Sequence, residues 1–342
     1  TVPAIVTIPV GGGPERLVTT QPEPSPGRGL GGGCFDWLPD GSGLVYAAQD
    51  GNLWAQRVPG GPPVRLTAVD AGSRFEAPCV TPDGTGVVAA LDQAEIWLHP
   101  LAEHDGHDPQ RLDDGDADFV IDPFVALCGS TVLWTAWNVP DMPWDAARVE
   151  RIVLDTGERS TCSGAASIHQ PRCMPDGRGV AVRDDTGWLN VWVDDAPLVD
   201  EPFEHAGPTW GQGQRSYAVS PDGARVAFTR NERGFGRLCV AQADTGAVQE
   251  IARGVHGQLS WKGEHLTAVR SGARTPTQIV AYDTVGWERN VLAVGPVAGW
   301  DGFDLPEPEL VEVDHDGIAV HARRFAADAD RTICWLHGGP TD

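Results

Sequence analysis

Apolar positions in this chain fall in short runs broken by tight turns, and no helical period is sustained beyond about a dozen residues. The stretch from Gln170 to Trp192, QPRCMPDGRGVAVRDDTGWLNVW, shows the pattern. Pro175, Asp176 and Gly177 join two strand-like runs, and a second turn at Asp185 to Gly187 leads into a third. Proline presets φ at the first corner, aspartate bonds its own backbone, and glycine accepts positive φ where the next strand begins. Three antiparallel strands in about two dozen residues make most of one propeller blade.

The unit recurs. Pro-Asp-Gly stands at 39–41, 82–84, 175–177 and 221–223, so Asp40, Asp83, Asp176 and Asp222 are separated by steps of 43, 93 and 46 residues. The middle step spans two repeats and predicts a degenerate turn near 129, where Cys128, Gly129 and Ser130 split FVAL from TVLWTAW. A sixth turn is predicted at Lys262 and Gly263, between QLSW and HLTAVR. Each unit ends alike, with an apolar strand, a glycine-containing hairpin and a further strand, as in NLWAQRVPGGPPVRLT and GRLCVAQADTGAVQEIA. The opening AIVTIPVGGGPERLVT matches only this tail, so the chain is expected to begin inside a blade. A four-stranded blade has two apolar faces that it cannot bury alone, whereas radial stacking covers each with a neighbour and ring closure protects the edges. The reading is an all-β fold, a β-propeller over residues 1–303, with six full repeats and a partial one favouring seven blades over six or eight.

The pattern changes after Gly302. FDLPEPELVEV is a proline-rich linker entering a strand, a turn is predicted at His315 to Gly317, and IAVHARRF returns. The continuous apolar run Thr332 to Leu336 suits a strand buried on both faces, and it leads into His337, Gly338 and Gly339. An apolar strand ending in His-Gly-Gly is the arrangement of the oxyanion-hole loop of α/β-hydrolases, where glycines let backbone N–H groups turn toward a developing negative oxygen.

Composition narrows the function classes. With 42 glycines, 28 prolines and 13 tryptophans the chain suits short strands and tight turns. A net charge of −23 with Lys262 as the one lysine argues against a nucleic-acid grip, which needs clustered cations. Cys34, Cys79, Cys128, Cys162, Cys173, Cys239 and Cys334 are dispersed and without a CxxC pair, which reads as reduced core thiols in a cytoplasmic protein. No apolar run approaches the length of a membrane span, so no membrane partner is expected.

No metal and no cofactor is expected. The spacing of His99, His104 and His107 could suggest a metal, but two of them lie in a polar hairpin without a fixed scaffold, and in Asp113 to Asp118 an EF-hand reading fails because Phe124 stands where the bidentate glutamate belongs. Arg148, Arg151, Arg172, Arg183 and Arg215 are candidates to present a cation to a substrate carboxylate. One connection breaks the regularity: in NVPDMPWDAARVERIVL, Met142, Pro143, Trp144 and Asp145 occupy a longer, more apolar loop. Met142 and Trp144 either cap the end of a blade or line a mouth or domain interface.

WNVPDMPWD at Trp137 to Asp145, QPRCMPDG with DDTGWLNVW, PTWGQGQRSYA at Pro208 to Ala218, and PELVEVDHDGIAVHARRF running into WLHGGPTD together resemble the N-terminal portion of the prolyl oligopeptidase family (peptidase family S9), in its acylaminoacyl-peptidase and dipeptidyl-peptidase-like branch. The resemblance covers essentially the whole chain. It implies a propeller lying over an α/β-hydrolase domain and limiting access to a Ser-Asp-His triad, so that oligopeptides are cleaved and folded proteins excluded. It further implies that residues 304–342 are a linker and the first strands of the catalytic domain, truncated at the oxyanion loop formed by His337, Gly338 and Gly339. Trp137, Met142, Trp144 and Asp145 then belong to a substrate mouth or domain interface. No GxSxG elbow occurs in the 342 residues, so the chain alone is expected to be inactive. Its expected partners are a peptide substrate and the missing hydrolase half, with a homo-oligomer left open. A free-standing protein-binding propeller is the alternative.

Overall fold

The computed structural model describes residues 2–19, 21–26, 33–101, 108–164, 167–209, 211–328 and 330–336. Six four-stranded antiparallel sheets follow one another along the chain, each a meander in which consecutive strands are neighbours. Blade 1 comprises Phe35–Trp37, Gly43–Ala47, Leu53–Arg57 and Val64–Arg65, and blade 2 Phe75–Val80, Gly86–Leu91, Glu95–Pro100 and Gln110–Arg111. Blade 3 comprises Phe119–Val125, Thr131–Trp137, Arg148–Val153 and Arg159–Ser163, and blade 4 Ile168–Cys173, Gly179–Arg183, Asn190–Val193 and Ala196–Pro197. Blade 5 comprises Tyr217–Val219, Arg225–Glu232, Phe235–Gln242 and Val248–Arg253, and blade 6 Val255–Lys262, His265–Gly272, Thr275–Asp283 and Arg289–Val294. The repeat around Gln170 to Trp192 is thus the fourth of six.

All six predicted turns join the first strand of a blade to its second. Gly41, Gly84, Gly129, Gly177, Gly223 and Gly263 hold φ between 53° and 93°, the region where a Cβ is costly. In the four aspartate turns, Oδ1 accepts the N–H two residues on, from Ser42 at 2.9 Å, Thr85 at 3.0 Å, Arg178 at 3.1 Å and Ala224 at 3.0 Å. Hydroxyl hydrogen bonds at Asp40, Asp83 and Asp222, and the Arg178 amide at Asp176, hold these carboxyls below their ordinary range.

Blades are held to one another by face-to-face apolar packing. Leu53, Val45, Phe75 and Val87 join blades 1 and 2; Ile96, Leu112, Val120 and Trp134 join 2 and 3. Leu133, Val149, Ile168 and Ala181 join 3 and 4; Met174, Val182, Tyr217 and Phe228 join 4 and 5. Leu238, Leu259, Leu266 and Tyr282 join 5 and 6. Full burial of side chains this size contributes about 1.5–3 kcal/mol each, so the seams rather than the ladders carry the ring.

Four of the six first strands also share a bulge that the sequence reading did not find. Register shifts between Glu76 and Cys79, Ile121 and Phe124, His169 and Arg172, and Gly257 and Ser260 place Ala77, Asp122, Gln170 and Gln258 at φ of 49°, 57°, 55° and 52°. In three blades the next residue is a proline, Pro78, Pro123 or Pro171, which was a legible signal.

Among the described residues six blades are complete. The seventh repeat is represented, among the described residues, by a two-stranded hairpin pairing Val6–Thr7 with Arg16–Leu17. It reproduces the outer half of a blade. Ile5 N–H donates to Thr19 Oγ1 at 2.8 Å and Val18 N–H to Ile5 O at 2.9 Å, as Leu53 N–H donates to Thr67 Oγ1 at 2.9 Å and Leu66 N–H to Leu53 O at 2.9 Å in blade 1. Ile5 packs on Leu44, Tyr46 and Ala48 of blade 1, and Asn290 of blade 6 donates to Val10 O at 3.0 Å. The opening residues match only the tail of the repeat, and a tail builds only the outer strand pair.

At the other end Glu309–His315 and Ile318–Arg324 form the predicted hairpin about Asp316 and Gly317. The expected strand at Thr332 to Leu336 is not formed, and Ile333, Trp335 and Leu336 are 89%, 89% and 83% exposed. A parallel-sheet strand needs ladder partners on both edges, and among the described residues none lies beside this run. His337, Gly338 and Gly339 lie outside the described residues. The reading of the cysteines as core residues is corrected at three positions: Cys128, Cys162 and Cys334 are exposed, Cys34, Cys79 and Cys173 half-buried, and Cys239 buried.

Candidate functional site

In a meander, first-to-second-strand turns and second-to-third-strand turns lie at opposite ends of the blade. The long loop of blade 3 is a second-to-third-strand connection, and it ends in one helical turn, Pro143–Ala146. Met142 occupies the N-cap: its N–H donates to Asp145 Oδ2 at 3.2 Å, while Asp145 N–H returns to Met142 O at 2.8 Å. Pro143 is buried, and its carbonyl accepts Ser167 Oγ at 3.1 Å, which ties the turn to the start of blade 4. Trp144 is thereby fixed, half-buried, at the seam between blades 3 and 4.

A cavity of about 350 Å3 opens beside it, lined by Trp144, His169, Asp184, Trp188, Glu204 and Pro208 among others. Asp184 Oδ1 accepts Ser167 N–H at 2.8 Å, and Glu204 Oε2 accepts Leu189 N–H at 2.7 Å. Burial raises the Glu204 carboxyl above its ordinary value, with the neighbouring Asp184 charge acting in the same sense. His169 is 1% exposed, and burial lowers it to about 4, so it is neutral near pH 7. Its Nε2 has no hydrogen-bond partner among the described residues.

Trp188 and Glu204 also line a second cavity of about 650 Å3, between Phe203 and Arg233 on the propeller side and Leu310, Glu312, His321 and Arg323 of the C-terminal hairpin. The Arg323 guanidinium lies 5.0 Å from the ring centre of Phe235 and holds the hairpin to blade 5. The hairpin and the Trp144 loop therefore share one face of the ring. Two indoles, apolar walls and two carboxylates can seat and orient a ligand. Among the described residues no serine or cysteine is hydrogen-bonded to an imidazole, so the arrangement offers binding rather than nucleophilic chemistry.

The sequence candidates divide accordingly. Met142, Trp144 and Asp145 come together at this face. Trp137 does not line a mouth: it is 7% exposed, its ring stacks on Phe119 at 5.0 Å, and it packs with Ile121 and Ala147. Arg148 pairs with Glu150 at 2.5 Å, and Arg183 pairs with Asp185 and lies 4.5 Å over the Trp192 ring. Arg172 and Arg215 face the axial cavity on the other side of the ring. His99 is buried edge-on to Phe75 at 4.9 Å, while His104 and His107 lie outside the described residues. Asp113 is structural, its Oδ1 accepting Ile96 N–H at 2.7 Å. Sequence reasoning missed His169, Asp184, Trp188 and Glu204, which strand pairing within blade 4 and the connection leaving it bring together beside Trp144.

No family model matches the sequence, and no curated protein is detectably similar to it. Solved structures are similar. Puromycin hydrolase superposes with a TM-score of 0.79 at 23% identity, over 94% of this chain and 54% of that one. A puromycin-hydrolysing peptidase of Mycobacterium tuberculosis gives 0.77 at 25% identity, over 91% of this chain and 53% of that one. A prolyl endopeptidase gives 0.64 at 15% identity, over 90% of this chain and 48% of that one. The chain spans about half the length of these proteins, and the half it matches is their propeller. The resemblance read from the sequence is borne out in the fold.

Proposed function

We propose that this chain, whose fold is the propeller of prolyl oligopeptidase-type peptidases, gates and selects oligopeptide substrates for an α/β-hydrolase half that carries the Ser-Asp-His triad. One observation carries the reading: the C-terminal hairpin lies on the ring face that also bears the Trp144 loop and its cavity. A catalytic half continuing from that hairpin would cover this face, placing Met142, Trp144, Trp188 and Glu204 at the junction where substrate enters. The ring contributes the walls and the size limit, and the indoles and carboxylates hold an extended peptide by its side chains and polar ends. The 342 residues contain no GxSxG elbow, so on this reading the serine comes from the hydrolase half.

The test is a fusion of residues 2–324 to the catalytic domain of the Mycobacterium tuberculosis peptidase. The fusion is expected to cleave a short chromogenic peptide and to spare the same sequence inside a folded protein, with Trp144→Ala raising KM more than it lowers kcat. A folded, active fusion that cleaves both substrates alike would refute gating and leave the protein-binding propeller as the better reading.

A further inference from the structure

A cavity of about 420 Å3 lies on the axis of the ring, lined by first strands from all six blades. It opens among the first-to-second-strand turns, at Pro175, Pro221 and Lys262, on the face away from the C-terminal hairpin. Its floor is the approach of Gly33 and Gly213, which is so close that a Cβ on Gly33 would fall 2.6 Å from Gly213 Cα. Gln212 pins this floor, donating to Glu76 Oε2 at 2.7 Å and accepting Asp122 N–H at 3.2 Å. The result is a funnel closed at one end.

Five charged side chains line it: Asp36, Asp122, Arg172, Arg215 and Lys262. Some are already engaged. Asp36 accepts Val80 N–H at 2.8 Å and Trp37 N–H at 3.0 Å. Arg172 meets Asp122 at 3.4 Å, donates to Pro171 O at 2.6 Å, and lies 5.3 Å from the Phe124 ring centre. Arg215 differs. Its guanidinium has no hydrogen-bond or ion-pair partner among the described residues, and it acts only through space on Asp36 and Cys79. The Lys262 ammonium at the rim is likewise without a partner among the described residues. A planar donor fork held in this funnel with no acceptor among the described residues matches a carboxylate.

The remaining lining decides which carboxylate. Phe124, Leu127, Leu259 and Trp261 give apolar walls that suit an organic body better than inorganic phosphate. Asp36 and Asp122 disfavour a dianion, and the two arginines with Lys262 disfavour a simple cation. The net charge of −23 gives no long-range attraction to an anion, but a ligand of zero net charge is indifferent to it. We propose that the axial funnel binds a small zwitterion with an apolar side chain, an amino acid or dipeptide, whose carboxylate is taken by Arg215 and Lys262 and whose ammonium lies toward Asp36 and Asp122. The volume falls in the range of about 300–1,000 Å3 used for small-molecule sites. The proposal does not depend on any catalytic half.

Isothermal titration of the 342-residue chain with glycyl-phenylalanine tests it. Saturable binding below about 10 mM is expected, weakened at least about tenfold by Arg215→Gln and by replacing the ligand with glycyl-phenylalaninamide, and a few-fold by Lys262→Gln. Arg215 has no hydrogen-bond acceptor among the described residues and acts on Asp36 only through space, so Arg215→Gln should shift the urea midpoint little, and a urea curve of each variant without ligand separates lost binding from lost folding. Absence of binding by the wild type up to that concentration, or equal binding by Arg215→Gln or of the amide, would overturn the proposal.

Discussion

Acid should unfold this protein in a window set by its histidines. His99, His169 and His256 are 7%, 1% and 6% exposed, and burial lowers each to about 4. His205, fully buried, is lowered as well, burial outweighing its Glu201 partner. An unfolded chain protonates these rings near pH 6.5, whereas the folded chain refuses the proton until about pH 4. Between those values the unfolded state binds more protons, so stability falls as pH falls, by a little over 1 kcal/mol per pH unit for each histidine. The three most strongly shifted rings therefore remove roughly 4 kcal/mol per unit between pH 6 and 4.5, and nothing above pH 7. Two carboxyls act in the opposite sense: Asp36 and Glu204 are raised by burial and return stability on protonation toward the bottom of the window. The turn aspartates, whose pKa values are lowered, lose their contribution only below about pH 4, so they leave this window clear. Urea unfolding followed by tryptophan fluorescence at pH 7.5, 6.5, 5.5 and 5.0 should show a plateau and then a steep fall, with a shallower fall in His99→Leu. A midpoint that is flat or rising from pH 6.5 to 5.0 would refute the reasoning.

Three further outcomes follow from the same packing and hydrogen bonds. Trp134→Ala, which empties the largest fully buried site at the seam of blades 2 and 3, should cost about 3–5 kcal/mol in the same urea assay. Thr19→Val removes the acceptor that holds Ile5 N–H and should cost about 1–2 kcal/mol, with faster amide exchange confined to the N-terminal hairpin. Tyr217→Phe removes the hydroxyl that bonds Gln170 O at 2.5 Å and Val180 O at 2.9 Å, and should lower the unfolding free energy by about 1–2 kcal/mol.

The ring was legible because its punctuation is local. Pro-Asp-Gly fixes a turn within three residues, and even Cys128 to Ser130 and Lys262 to Gly263 were placed by spacing and by the apolar runs that flank them. The number of complete blades was less legible: Ile5 to Thr19 read as a blade tail, but what stands beside a tail in space is not written in the tail. Trp137 and Trp144 show the same limit. Both sit in one apolar stretch, and only the strand pairing reveals that Trp137 faces Phe119 in the core while Trp144, past the end of the strand, is half-buried in a turn whose Pro143 carbonyl accepts Ser167 Oγ. His169, Trp188 and Glu204 come from the first strand, a connecting loop and the exit connection of blade 4, and they meet through its strand pairing and the Glu204–Leu189 hydrogen bond, which no periodicity encodes. Arg215 was one of five equivalent arginines in the sequence; the funnel sets it apart.

The central claim is that this propeller works as half of a serine peptidase. Capturing the endogenous polypeptide with an antibody to the propeller, and resolving it after labelling with a fluorophosphonate that marks activated serines, tests that claim most directly. Since the chain spans 53–54% of the puromycin-hydrolysing peptidases it matches, the account predicts a labelled polypeptide about twice the 36.4 kDa of this chain, or a labelled partner captured with it. An unlabelled 36.4 kDa polypeptide captured without a labelled partner would contradict it.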